Sequence, residues 1–169
     1  MLFVCYSAKS EDKALTVEQT IGILFVPDAT LELYLHANSD AREDVARIFD
    51  DSLARQGGPG VETIAMLGYI GDDTDADRLL KFTESKAGQV GSDPGFLNVL
   101  AALGRMAYRD VSRAKEILLI MADKGFWEKL NMRTFPEALY SQYPELISIN
   151  AAHALYLLDA LEGKPLRPV

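Results

Sequence analysis

Asp73, Asp75, Asp77 and Glu84 stand at positions 1, 3, 5 and 12 of a calcium-binding loop, with Leu80 at its hydrophobic eighth position. Four carboxylates at that spacing could wrap a hard cation in oxygen ligands. Two features oppose it. Arg78 occupies the position where the loop needs glycine for its sharp turn, and residues 76 to 86 already follow a helical pattern that would spread the carboxylates around a cylinder. The preferred reading of the run from Asp72 to Asp77 is a turn and a helix cap, with no metal and no other cofactor.

Nucleophilic catalysis needs a base beside a serine, cysteine or lysine, and the histidines available are His36 and His153. His153 lies between Ala152 and Ala154 in an apolar helical stretch, where a packed or interface imidazole is expected. His36, near Asn38, Ser39 and Asp40, reads as a surface turn residue. Cys5 has no second cysteine or flanking base, so it is an apolar thiol and no intramolecular disulfide can form. No catalytic residue is assigned.

The remaining candidates are recognition residues. Arg105, Arg109 and Arg113 are spaced by four and would form one basic stripe on an unbroken helix, but they straddle a predicted turn. A solvated rim is the plainer role, and recognition of an acidic peptide the functional one. From Phe126 to Tyr143 the periodicity fails and aromatics gather, Trp127, Tyr140 and Tyr143 among them. This segment either caps an open hydrophobic end or lines a groove for a peptide or small ligand.

The chain of 169 residues carries a formal charge of −8, which disfavours nucleic acid, whose affinity comes mainly from Lys and Arg on phosphates. Residues 1 to 86 hold 16 acids and 8 bases, whereas 87 to 125 hold 4 acids and 5 bases. A cationic partner would dock on the first half. Leu2 to Tyr6 is apolar, yet too short for an export signal and without a preceding basic segment, so a cytoplasmic home is expected, with an exported protein carrying a signal remnant as the alternative. No run has the length of a membrane span.

The elements that must position these residues are helical. Between Lys13 and Leu35 the pattern is mixed: Val17, Thr20, Ile21 and Leu24 suit a helix, Leu31, Leu33 and Leu35 alternate, and a helical reading is preferred on either side of Pro27. A helix capped by Ser39 or Asp40 puts Val45, Ile48, Phe49 and Leu53 on one face and stops at Gly57-Gly58-Pro59-Gly60. Val61, Ile64, Ala65 and Leu67 line the next helix, and Leu79, Leu80 and Phe82 the one after it. Asp93-Pro94 starts a helix lined by Phe96, Val99, Leu100 and Leu103, and its successor presents Ala114, Ile117, Leu118 and Met121 until Gly125. The last helix begins near Pro144, is expected to bury Leu146, Ile149, Ala152, Leu155, Leu158 and Leu161, and ends at Gly163.

One phrase occurs twice, Ala65-Met66-Leu67-Gly68-Tyr69-Ile70-Gly71-Asp72 and Ala101-Ala102-Leu103-Gly104-Arg105-Met106-Ala107-Tyr108, at a period of 36 residues. With Leu79 and Leu80 one helix later, the first copy resembles a bacterial HEAT-like repeat, in which a Leu-Gly-x-Ile-Gly-Asp turn ends the first helix. The second copy replaces Gly-Asp with Ala107-Tyr108 and regains an acid at Asp110. The short period, Leu103-Gly104 and Met121 to Gly125 also resemble tetratricopeptide or Sel1-like repeats. The resemblance covers about residues 61 to 125.

Either family implies an all-α, right-handed superhelical stack (solenoid) of antiparallel helical hairpins, about eight helices in one domain over residues 1 to 163, with 164 to 169 as an extended tail. It also implies non-enzymatic binding of a protein or peptide on the concave face, with Arg105, Arg109, Arg113, Trp127, Tyr140 and Tyr143 as candidate contacts. The competing expectation is a small-ligand-binding or enzymatic helical protein built on residues 126 to 143. A homo-oligomer paired through open ends is a third.

Overall fold

The computed structural model describes residues 41–53, 58–86, 95–130 and 143–164. Among these residues the fold is all helical, with seven helices and no strand: α1 (Ala41–Leu53), α2 (Val61–Ile70), α3 (Asp73–Lys86), α4 (Gly95–Tyr108), α5 (Ser112–Met121), α6 (Lys124–Lys129) and α7 (Tyr143–Leu161). The readings of residues 1 to 40, with Cys5 and His36, of Asp93-Pro94, of Tyr140 and of the tail beyond Lys164 lie outside the described residues.

The two copies of the repeated phrase fall in α2 and α4, and these helices pack directly on one another. Their successors α3 and α5 also lie side by side. Leu67 and Leu103, equivalent in the two copies, are both fully buried. Helix α4 is the hub: its buried residues Phe96, Val99, Leu100, Ala102, Leu103, Met106 and Ala107 wrap much of its circumference, and α2, α3, α5 and α7 all contact it. One apolar cluster runs from Ala41 in α1 to Leu158 in α7. Aromatic contacts extend it, Phe49 edge-on against Phe82 at 5.9 Å and Phe96 tilted against Trp127 at 5.7 Å.

The expected apolar stripes of α4 and α5 are buried as a whole, Phe96 through Leu103 and Ala114 through Met121. Elsewhere the structure differs. Helix α2 buries Thr63, Ile64, Met66, Leu67, Gly68 and Tyr69 and leaves Val61 exposed, because α1 and α4 close on it together. Helix α5 stops at Met121, not at Gly125. Asp123 accepts from the Gly125 backbone N–H and so starts the short α6 inside the stretch expected to be irregular.

The register of α7 also departs from expectation: Ile147, Ser148, Ala151, Leu155, Leu158 and Asp159 face the core, while Leu146, Ile149 and Leu161 face outward and Ala152 is half-buried. Apolar residues occupy most of its circumference, so sequence alone does not select the inner side. Its C-terminus matches the reading: Gly163 adopts φ 65, and Lys164 and Gly163 donate to the Asp159 and Ala160 carbonyls in a Schellman closure.

The repeated glycines are not equivalent. A Cβ on Gly68 would come within 2.9 Å of the Ala102 Cα and 3.2 Å of its carbonyl oxygen, whereas a Cβ on Gly104 would meet nothing within 4 Å. Gly68 is where α2 and α4 approach. Gly68→Ala is expected to destabilise by about 1–3 kcal/mol through forced separation of two backbones. Gly104→Ala, in a helix interior with open space, should be neutral or stabilising by up to about 1 kcal/mol. Urea denaturation of the two variants checks the contrast.

Candidate functional site

The acidic run folds as a cap and the first turns of α3. Asp72 Oδ1 accepts from the backbone N–H groups of Thr74 at 2.9 Å and Asp75 at 3.3 Å, the arrangement expected of an N-cap. Asp75 has no exposed surface, yet its carboxylate is fully engaged: Arg42 Nε at 2.8 Å, Arg78 Nη1 at 2.6 Å and the Asp72 backbone N–H at 3.1 Å. Arg42 also reaches Asp72, and Arg78 reaches Asp50. The residue that broke the calcium-loop pattern is thus a partner of its central acid.

Burial lowers the affinity of Arg42 and Arg78 for their protons, but the hydrogen bonds and charges of Asp75, Asp72 and Asp50 outweigh it and hold both guanidinium groups above their ordinary value. Among the described residues no group of three or more His, Cys, Asp or Glu could hold a metal ion. Asp73 and Asp77 turn to α5, and Glu84 is exposed farther along α3. Two open depressions between α1 and α3, about 310 and 430 Å³, share Asp50 and Arg78 as walls. Of the charged residues in their walls, Arg42, Asp50 and Arg78 belong to the network just described.

The three arginines part company at the turn, as their spacing around it implies. Arg105 stacks over the Tyr69 ring at 4.9 Å, a contact between α4 and α2. Arg109 donates from Nη2 to the carbonyl oxygens of Gly68 at 3.2 Å and Gly71 at 2.8 Å, closing the C-terminal end of α2. Arg113 binds Asp77 at 2.8 Å and Glu116 at 2.8 Å, and its own backbone N–H donates to Asp73 at 3.0 Å. Its pKa is raised, by Glu116 first and Asp77 second.

Helix α5 therefore takes its cap from the preceding unit. Val111 at its N-cap offers no side-chain acceptor, and Asp73 supplies one from α3. The acid that the second copy regains, Asp110, serves a different end: it is the only non-glycine with positive φ among the described residues, and Val111 and Asp110 donate to the Met106 and Ala107 carbonyls to close α4. None of this shows in residue types alone. The signal that could have pointed to it is the spacing of Asp77 and Arg113, which stand one 36-residue period apart.

Trp127 is fully buried on α6, with Nε1 donating to the Met121 carbonyl at 2.6 Å and its ring against Phe96 and Phe126. It seals the lower end of α4 and α5. Tyr143 opens α7 and is half-buried. His153 is exposed on α7 beside Tyr156, ring centroids 6.3 Å apart.

With these groups drawn into packing, the outward side of α3 and α5 is the candidate functional face. The two helices run side by side with their N-termini joined through Asp73 and Arg113. On α5 two apolar side chains are exposed, Leu119 at 48% and Ile120 at 40%, one turn after the exposed Glu116, and Lys81 and Glu84 are exposed on the neighbouring α3. None of the described helices is long and apolar enough to cross a membrane. Comparison of the chain with protein-family models, with curated proteins and with solved structures gives no match.

Asp75→Asn keeps the shape but removes the charge that two half-exposed arginines share, and a loss of about 1–3 kcal/mol is expected. Asp77→Asn on the surface should lose less than about 1 kcal/mol, and equal losses by thermal unfolding would contradict this ranking. Glu162 gives the pH dependence. Its carboxylate is held below its ordinary value of 4.5 by hydrogen bonds from Lys164 first and Lys115 second. The tie it makes between α5 and the end of α7 is complete above that ordinary value and lost as pH falls through the lowered one. An NMR titration should show the depressed midpoint, moving upward in Lys115→Gln.

Proposed function

We propose that the chain is a non-enzymatic helical-repeat protein, a right-handed stack of hairpins of the HEAT-like or tetratricopeptide kind, which binds another protein or peptide on the concave side formed by its second helices. The packing of α2 on α4 and of α3 on α5 supports the stack, since like helices of successive units lie together in such arrays. The observation that carries the binding is the pair Leu119 and Ile120, exposed on α5 one turn after Glu116, with Lys81 and Glu84 exposed on the adjacent α3. Apolar anchors ringed by charge form the center-and-rim arrangement of a recognition surface. A partner segment with apolar side chains flanked by Lys or Arg fits it.

The arginines contribute at one remove. Arg109 and Arg113 fix α3 and α5 in register, so the face is preformed and a partner need not order it. Affinity capture from the native lysate with the wild-type chain and with Leu119→Asp/Ile120→Asp, read by mass spectrometry, tests the reading. A protein retained by the wild type and reduced at least about tenfold with the variant is expected. Equal retention by both, with the variant's helical content unchanged, overturns it.

A further inference from the structure

The outer side of α7 poses a separate question. Leu146, Ile149, Leu157 and Leu161 are exposed by 49%, 47%, 49% and 69%, and with His153 they run along one side of a helix of 19 residues. At 3.6 residues per turn these positions form a single stripe. Helix α7 covers α4, α5 and α6 on its inner side, and the stripe lies exposed on the side away from them. A surface helix is expected to turn a polar face to water. This one turns leucine and isoleucine.

The stripe is symmetric about His153. Four residues before it is Ile149 and four after it Leu157; seven before is Leu146 and seven after the small Ala160; three before is Asn150 and three after Tyr156. In a two-fold antiparallel pair of helices, positions equally distant from the axis face each other. Ile149 would then lie on Leu157, large Leu146 on small Ala160, and the Asn150 amide opposite the Tyr156 hydroxyl. Each of these contacts occurs twice, and beyond them Leu161 falls opposite Glu145 at the rim of the pairing.

The charges agree with the same pairing. The chain carries −8, so two copies repel unless their contact is free of acid, and the stripe from Leu146 to Leu161 presents no exposed carboxylate or ammonium. At the N-terminal end of α7, Glu128 and Glu145 share one base, Lys124. At the C-terminal end two bases, Lys115 and Lys164, hold one exposed acid, Glu162, with buried Asp159 beneath Lys164. Antiparallel pairing sets the acid-rich end of one copy beside the lysine-rich end of the other, and opposes the two helix dipoles.

We propose that the outward stripe of α7 is a homodimer interface, in which a second copy of this chain lays the same stripe across it antiparallel on a two-fold axis at His153. It is independent of the face on α3 and α5. The contact is small. About four helical turns bury less than the roughly 800 Å² per partner of a standard interface, so a dissociation constant of about 1–100 μM is expected.

Sedimentation of the full chain from about 5 to 500 μM should show a mass rising from 18.6 kDa toward twice that value. A monomer throughout the range overturns the proposal. Leu157→Glu, at an exposed position, should raise the dissociation constant at least about tenfold with unchanged helical content, and a dimer indifferent to it counts against α7. Geometry is read with Cys5→Ser as background. His153→Cys on the axis should form a disulfide-linked dimer at least about tenfold faster than Ser112→Cys on α5; equal rates exclude the two-fold at His153.

Discussion

The approach of α2 to α4 at Gly68 and Ala102 sets the geometry on which the rest of the structure depends. Because Gly68 has no side chain, the two backbones come close enough for the end of α2 to reach the turn after α4, where Arg109 can bind the Gly68 and Gly71 carbonyls. That same proximity brings the start of α3 beside the start of α5 and lets Asp73 cap it. A larger residue at position 68 would separate the turns as well as the helices. Sterics at one atom thus govern a set of polar contacts several residues away.

The turns show how a surface rich in charge becomes structural. Asp75 is an ionised group in the interior, tolerable only because two guanidinium groups and a backbone N–H surround it. Its arginines come from α1 and α3, so the network joins these two helices at the turn that follows α2. Carboxylates and arginines at this density look like chemistry in a sequence. In the fold they act as fasteners, and the exposed apolar side chains of α5 are Leu119 and Ile120, on which the proposed recognition rests.

How much of this was legible in the sequence varied with the pattern of each segment. Helices α4 and α5 were readable because their apolar residues occupy one stripe each, and Phe96 to Leu103 and Ala114 to Met121 are buried as that stripe requires. Helix α7 was legible as a helix but not in its register, since leucines and isoleucines lie on both sides and burial falls to Ser148 and Asp159 ahead of Leu146 and Leu161. Gly68 and Gly104 hold the same place in the two copies of the phrase, yet a Cβ on Gly68 would meet Ala102 and one on Gly104 would meet nothing within 4 Å, a difference the repeated letters do not carry. For the site, the split of the arginine stripe at the turn was readable, whereas their acceptors were not: backbone carbonyls and acids 36 to 41 residues earlier carry no local signature.

The borrowed cap has a consequence for how this architecture can change. Helix α5 has Val111 at its N-cap, without a side-chain acceptor, and takes one from Asp73, while the Gly68 and Gly71 carbonyls at the end of α2 accept from Arg109 of the next turn. Each unit thus leaves one end for its neighbour to complete. A unit copied, deleted or transplanted alone would carry an unfinished terminus and an arginine without its acceptors. Change here must act on the junction between the two helix pairs, α2–α3 and α4–α5, which neither pair carries whole.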